Sequence, residues 1–327
     1  MRFGIFTTLR GASWPAVATL WEQADASGWD AACVIDHFMA NTPDARGDTL
    51  EGWTALAALA MVTRRMRIGT LVSGNTYRHP AVLAKMAANV DIISGGRLIC
   101  GIGAGWQKNE HVRYGIPFPP YAERLARLEE ACEVLRALWT REYTTFDGQY
   151  FQLRDAPLMP KPVQRPHPEL MIGGVGERET LRIVARHADH WNATTAGPER
   201  FARKLRVLER HCEAIGRDPR TLTKSTDVGL AFAPEDAAAL AARLPGRPEL
   251  TADEAEDAIL VGPVARIQDR LGALREAGVD LCFIVTNPLD ADALQRFITD
   301  VAPALREGAA APETSPRGEP SWLGRSS

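Results

Sequence analysis

No apolar run in this 327-residue chain approaches the roughly 20 residues needed to cross a bilayer, so no membrane partner is expected. Charge of one sign is not in excess either. Lys and Arg number 38 against 41 Asp and Glu, a formal net charge of −3, which gives no reason to expect nucleic acid as a partner. Cysteine is scarce: Cys33, Cys100, Cys132, Cys212 and Cys282 are odd in number, far apart and in apolar settings. They have neither disulfide nor zinc spacing and read as buried thiols in a reducing compartment. H-E-x-x-H is missing, and Glu110-His111 alone makes no metal site, so no metal is expected. The opening MRFGIFTTLR lacks the apolar stretch and small-residue cleavage site of a signal peptide. A cytoplasmic protein is the expectation.

What is present is an alternation. Short apolar runs at 2–8, 31–35, 67–72, 98–102, 169–172, 190–193, 223–231 and 281–285 read as strands, with amphipathic helical segments between them. The clearest helix is ERLARLEEACEVLRALW, whose stripe Leu125, Leu128, Cys132, Leu135 and Trp139 keeps the three-to-four spacing of a buried face. Pro80 and Pro198 stand where helix starts tolerate proline. Eight strand–helix alternations imply a parallel sheet. A (β/α)8 TIM barrel with insertions and a pair of doubly wound halves compete, and eight repeats at this length favour the barrel. Residues 1–306 are expected as a single barrel domain with two interruptions. One, at about 140–168, contains TTFDGQYFQL, a hairpin signal with Asp147-Gly148 at the turn. The other, at about 233–261, is rich in alanine and acids and reads as a helical excursion. The tail 307–327, rich in Pro, Gly, Ser and Glu, reads as disordered.

Barrel chemistry collects where strands end. After the second strand come Asp36, His37 and Phe38; after the third, Ser73, Gly74 and Asn75; after the fourth, Gly103, Ala104, Gly105, Trp106 and Asn109. Gly173, Gly174, Val175 and Gly176 follow the fifth, and Asn192, Thr194 and Thr195 lie at the sixth. A glycine-rich turn feeding a helix leaves backbone N–H groups for an anion such as phosphate, or serves only to pack the helix tightly on the sheet. His37 is either a proton-transfer group or a hydrogen-bonded core histidine. The stretch GIGAG at 101–105 only half matches G-x-G-x-x-G, and no clean acidic residue ends a following strand to hold a ribose, because a long helix comes next. Glycines there let backbone approach a dinucleotide, a flavin-type ring or another part of the fold.

The motifs VIDHF, IGTLVSGNTYRHPAVLAKMAANVDIISGGRLICGIGAGW, YGIPFPPYAERLARLEEACEVLRALW, FDGQYFQLRDAPLMPKPVQ and MIGGVGERETLRIVARHADHWN together resemble the luciferase-like monooxygenase superfamily. Within it they are most similar to the branch that uses the deazaflavin coenzyme F420. The resemblance covers residues 1 to about 230 closely. It implies a bacterial luciferase-like TIM barrel with a flavin or deazaflavin ring in its mouth, and a non-prolyl cis peptide within Leu71, Val72 and Ser73 forming a bulge against that ring. Gly103, Ala104 and Gly105 would then face the ring edge, and Gly173, Gly174, Val175 and Gly176 the cofactor phosphate. Asp36, Asn75, Trp106 and Asn109 complete the expected cofactor site. His37 matches the histidine that helps move the substrate proton in deazaflavin-dependent sugar-phosphate dehydrogenases. Those enzymes carry a glutamate directly after the glycine turn, where this chain has Trp106. The acid–base pair therefore reads as incomplete, and Trp106 points to an apolar or aromatic lining. The implied activity is hydride transfer between F420 and a small organic substrate, in a homodimer. The alternatives are an FMN-dependent monooxygenase and a non-catalytic flavin-binding protein.

Overall fold

In a computed structural model, residues 1–42, 44–241, 257–286 and 290–306 are described. The strands are β1 (Arg2–Thr7), β2 (Ala31–Val34), β3 (Arg67–Thr70), β4 (Ser73–Gly74), β5 (Leu98–Gly103), β6 (Tyr143–Asp147) and β7 (Gln152–Pro157). They continue as β8 (Glu169–Gly173), β9 (His190–Ala193), β10 (Thr223–Ala231), β11 (Ile259–Val261) and β12 (Leu281–Val285). Parallel pairing runs β1-β2-β3-β5-β8-β9-β10-β12 and returns to β1. Closure is made where Phe3 lies opposite Cys282 and Ile5 opposite Ile284. This is an eight-stranded TIM barrel. Its strands lie largely buried on both faces, which is why several, such as β2, β5 and β12, appear in the sequence as continuous apolar runs rather than alternations.

Local chemistry agrees with the elements. His79 caps the helix Pro80–Ser94 by accepting from the Ala81 N–H at 3.2 Å, and Gly95 closes it at φ 69°. The stripe Leu125, Leu128, Cys132, Leu135 and Trp139 of the helix Tyr121–Thr140 is buried throughout. All five cysteines are free and buried. Between that helix and β8, β6 and β7 form an antiparallel hairpin. The Glu130 carboxylate holds its turn, accepting from the N–H groups of Gln149, Tyr150 and Phe151 at 2.7, 2.9 and 3.1 Å.

The segment expected as a helical excursion differs in part. Pro234–Ala241 is a helix, but β11 is a strand, paired in parallel with β10. Ile259, Leu260 and Val261 are an apolar triplet with β-branched residues at both ends, suited to a sheet edge. Residues 242–256 of that segment, and the tail 307–327, lie outside the described residues.

Two glycines set the distance between β3 and β5. A Cβ on Gly69 would strike the Ile99 carbonyl oxygen, and one on Gly101 the Thr70 carbonyl oxygen. Backbone cannot yield as a side-chain tip can. We therefore expect Gly101→Ala to destabilise the fold by about 1–3 kcal/mol or more in urea denaturation. Gly272→Ala, in the helix Val264–Glu276 with nothing within 4 Å of the added carbon, should be neutral or stabilising by up to about 1 kcal/mol.

Candidate active site

The C-terminal ends of the barrel strands enclose a cavity of about 420 Å³, the size of a cofactor or small-ligand site. Phe6, Ile35 and Val285 contribute apolar surface from β1, the residue after β2, and β12; Asp227 comes from β10 and Asn192 from β9. The bond between Leu71 and Val72 is cis, as the resemblance implies, and both residues line the cavity. A Cβ on Gly103 would lie 2.9 Å from Val72 Cγ2, and one on Gly173 would lie 3.1 Å from either methyl of the same valine. Val72 is thus clasped between β5 and β8, which present bare backbone to the cavity on both sides. Gly105 is left-handed at φ 77°, with a Cβ position 2.7 Å from Thr76 Oγ1. The glycines of 101–105 first serve contacts within the fold, and the wall they leave is backbone.

The glycine turn after β8 divides in the same way. Gly174, at φ 141°, gives its N–H to the Asn192 carbonyl at 3.0 Å. A Cβ there would meet Thr180 Cγ2 at 2.8 Å. That part of the turn is packing. The N–H groups of Val175 and Gly176 have no hydrogen-bond partner among the described residues, and both residues line the cavity just before the helix Thr180–His187. They are the groups placed to receive an anion.

His37 lies on the opposite wall, 9% exposed. Its Nδ1 is 2.7 Å from Oε1 of Glu110, which is fully buried. Glu110 Oε2 accepts from the Phe38 N–H at 2.9 Å, and the Tyr77 hydroxyl donates to Oε1. Burial alone would raise the Glu110 pKa; hydrogen bonds and charge from His37, with those from Tyr77 and the Phe38 N–H, hold it below the ordinary glutamate value. Burial and the neighbouring Glu110 push the Tyr77 hydroxyl far up, so it stays a neutral donor. An ionised carboxylate only accepts. Nδ1 therefore donates to it, and Nε2 has no protein partner among the described residues. The expectation that the acid–base pair is incomplete is corrected here. The carboxylate comes from the first turn of the helix Lys108–Tyr114, four residues beyond Trp106. Trp106 itself stands edge-on to His37, with ring centroids 5.3 Å apart.

The other expected residues divide. Leu71, Val72, Ser73, Gly103, Ala104, Gly105, Trp106, Gly173, Gly174, Val175 and Gly176 line the cavity with His37. Asp36, Asn75 and Asn109 are not on its wall. Asp36 is buried and forked by Arg78 at 2.6 and 2.9 Å, because it points away from the face His37 occupies. Asn75 donates through Nδ2 to the Arg124 carbonyl, and Asn109 accepts from the Glu110 N–H. Tyr77, Tyr121, Glu110 and Asp227 were not singled out for the cofactor site by sequence. Beneath the cavity, Asn192 donates to Ser225 Oγ at 3.1 Å, and His190 bridges Ser225 and Glu169 at 2.7 Å each. Burial would raise the Glu169 pKa, but the hydrogen bond and charge of His190, with Arg67, hold it at about 2.

The sequence matches the luciferase-like monooxygenase family over residues 1–255. The chain belongs to that family. An uncharacterized Mycobacterium tuberculosis protein is 33% identical over 235 residues, 67% of this chain and 80% of its own length. The F420-dependent glucose-6-phosphate dehydrogenase of Kineococcus radiotolerans is 32% identical over 222 residues, covering 67% of this chain and 64% of the relative. Among solved structures, an F420-dependent secondary alcohol dehydrogenase in complex with an F420-acetone adduct superposes with TM-score 0.83 at 21% identity, covering 94% of this chain and 99% of the other. The F420-dependent tetrahydromethanopterin reductase of Methanopyrus kandleri gives TM-score 0.80 at 19% identity, covering 93% and 99%. These two likenesses are of fold. Among the described residues, no helix is long and apolar enough to cross a membrane, and no metal-ligating cluster is present.

The Glu110 carboxylate has a pH signature. Its folded pKa lies below the ordinary glutamate value of 4.5, so its contribution to stability is complete above that value and is lost as pH falls through the folded pKa. Glu110→Gln should cost about 1.5–3 kcal/mol at pH 7 by urea denaturation. The gap from the parent protein should close steadily below pH 4.5; a gap independent of pH would show that the carboxylate is not charged in the fold.

Proposed function

We propose that the protein is an F420-dependent oxidoreductase that passes a hydride between the deazaflavin and a small organic substrate. The observation that carries the reading is the His37–Glu110 pair at the cavity wall, with Nδ1 tied to a buried carboxylate and Nε2 turned to the site. Bound F420 supplies the hydride acceptor or donor. The cavity suits a planar ring. Its wall at Val72, Gly103 and Gly173 is backbone and one clasped valine, with no side chain projecting from either glycine. Val175 and Gly176 would take the phosphate through their N–H groups. The family, and dehydrogenases named as F420-dependent at 30–32% identity, support the same cofactor. A homodimer belongs to the reading on the family resemblance alone, and the cytoplasm on the five buried free thiols.

His37 does the proton work. When a hydroxyl is oxidised, Nε2 accepts the O–H proton as the hydride leaves carbon, and the imidazolium so formed is stabilised by Glu110. In the reverse direction the same nitrogen returns the proton to a carbonyl oxygen. Tyr77 keeps Glu110 ionised and aligned by donating to it.

Two outcomes check the proposal. Fluorescence titration should show F420 binding at least about tenfold tighter than FMN, about 1.4 kcal/mol; tight FMN with no F420 binding favours the monooxygenase reading instead. For any substrate turned over, His37→Ala should keep cofactor affinity within a few-fold while single-turnover hydride transfer slows by about a hundredfold or more. A variant that reacts at the parent rate makes His37 a structural residue.

A further inference from the structure

The cavity wall around His37 carries information about the substrate. Trp21, Trp29, Trp53 and Trp191 are fully buried, whereas Trp106 is 44% exposed and lies directly beside His37. A large ring left open on the rim of a cavity, next to the group that moves a proton, is an apolar surface that a ligand can cover. Charge tells the same story. Among the described residues lining the cavity there is no Lys or Arg, and the carboxylate on its wall is Asp227, which accepts from the Thr195 N–H and hydroxyl. Arg78, one guanidinium behind that wall, is forked onto Asp36 and paired with Glu51. Arg10 donates to Gln107. A phosphate or carboxylate drawn towards His37 would give up its water and meet no cation there.

We infer that the substrate of this site is an uncharged alcohol, or the matching ketone or aldehyde, with an apolar ring that rests on Trp106 while its oxygen meets His37 Nε2. The inference rests on the F420 reading for its chemistry. In the oxidative direction the O–H proton goes to Nε2, the carbinol hydrogen leaves as hydride to oxidised F420, and the products are the carbonyl compound and the reduced cofactor. Val72, Gly103 and the turn from Gly173 to Gly176 present mostly backbone to the cavity, whereas Trp106 presents an exposed ring beside His37. Substrate preference is therefore set at the side chain that stands beside the proton-transfer group. Relatives are named for glucose-6-phosphate, a dianion for which the described residues of this wall offer no Lys or Arg.

The test uses the full chain with F420, 1-phenylethanol and glucose 6-phosphate. We expect kcat/KM for 1-phenylethanol to exceed that for glucose 6-phosphate by about a hundredfold or more, Trp106→Ala to raise KM for 1-phenylethanol by about tenfold more than it weakens F420 binding, and Trp106→Phe to restore most of the loss. Saturation-transfer NMR with acetophenone on the cofactor-free protein should show ring contact that Trp106→Ala removes. Preference for glucose 6-phosphate, failure to turn over 1-phenylethanol in a protein that binds F420, or an acetophenone signal unchanged in Trp106→Ala would overturn the inference. Absence of F420 binding would instead sink the cofactor reading, and the NMR experiment would still decide what rests on Trp106.

Discussion

The close approach of β3 to β5 is the constraint on which the mouth of this barrel depends. Gly69 and Gly101 have carbonyl oxygens where their side chains would be, so the two strands run nearer than any substituted residue allows. That approach brings the end of β3 over the ends of β5 and β8 and seats Val72 between Gly103 and Gly173. The wall at the cavity is then a surface of backbone with one clasped side chain. Its flatness is a by-product of packing. Glycine recurs here because three strand ends must crowd together, and the ligand inherits the space.

Onto that rigid wall the fold adds one buried charge. Glu110 is enclosed by His37, Tyr77 and the Phe38 N–H. Each of its partners donates, so the cluster has a single hydrogen-bond polarity. A buried carboxylate is costly without such partners; with them it fixes the tautomer of the histidine. His111 adds a further restraint, stacking on Tyr77 at 4.9 Å while bonding Thr76 and the Gln107 carbonyl. The histidine on the cavity wall is thus held by two layers of side chains behind it.

All eight barrel strands were legible, most of them as apolar runs, because burial on both faces favours apolar residues in a parallel strand; the polar residues within them, such as Glu169, His190 and Ser225, are hydrogen-bonded to one another. Most of the cavity lining was legible too, since strand ends in a barrel converge on one place. The failures share a cause. Asp36 and His37 are adjacent, and alternation sends one to Arg78 behind the wall and the other to the cavity; the sequence does not say which. Glu110 sits in the first turn of a seven-residue helix whose direction is set by Gly105 and by packing against Tyr77. No periodic signal fits into so short a segment, so its carboxylate was weighed only as a metal ligand. β11 was read as part of a helical excursion because its three residues adjoin an alanine-rich, acidic stretch. Tertiary pairing decided it.

The division of the cavity into a backbone wall and a side-chain wall has an evolutionary consequence in physical terms. Backbone contacts to a cofactor depend on strand spacing, which many sequences satisfy so long as the crowded glycines remain. Side-chain contacts at Trp106 and around His37 can change without disturbing that spacing, because Trp106 is exposed on the rim and a substitution there leaves no buried void. Glu110 is the point where the two walls are coupled. It follows the glycine turn by a few residues yet orients the histidine that faces the cavity. A carboxylate reaching His37 from the helix, rather than from the residue next to the glycines, frees the Trp106 position for an apolar ring while keeping the acid–base pair intact.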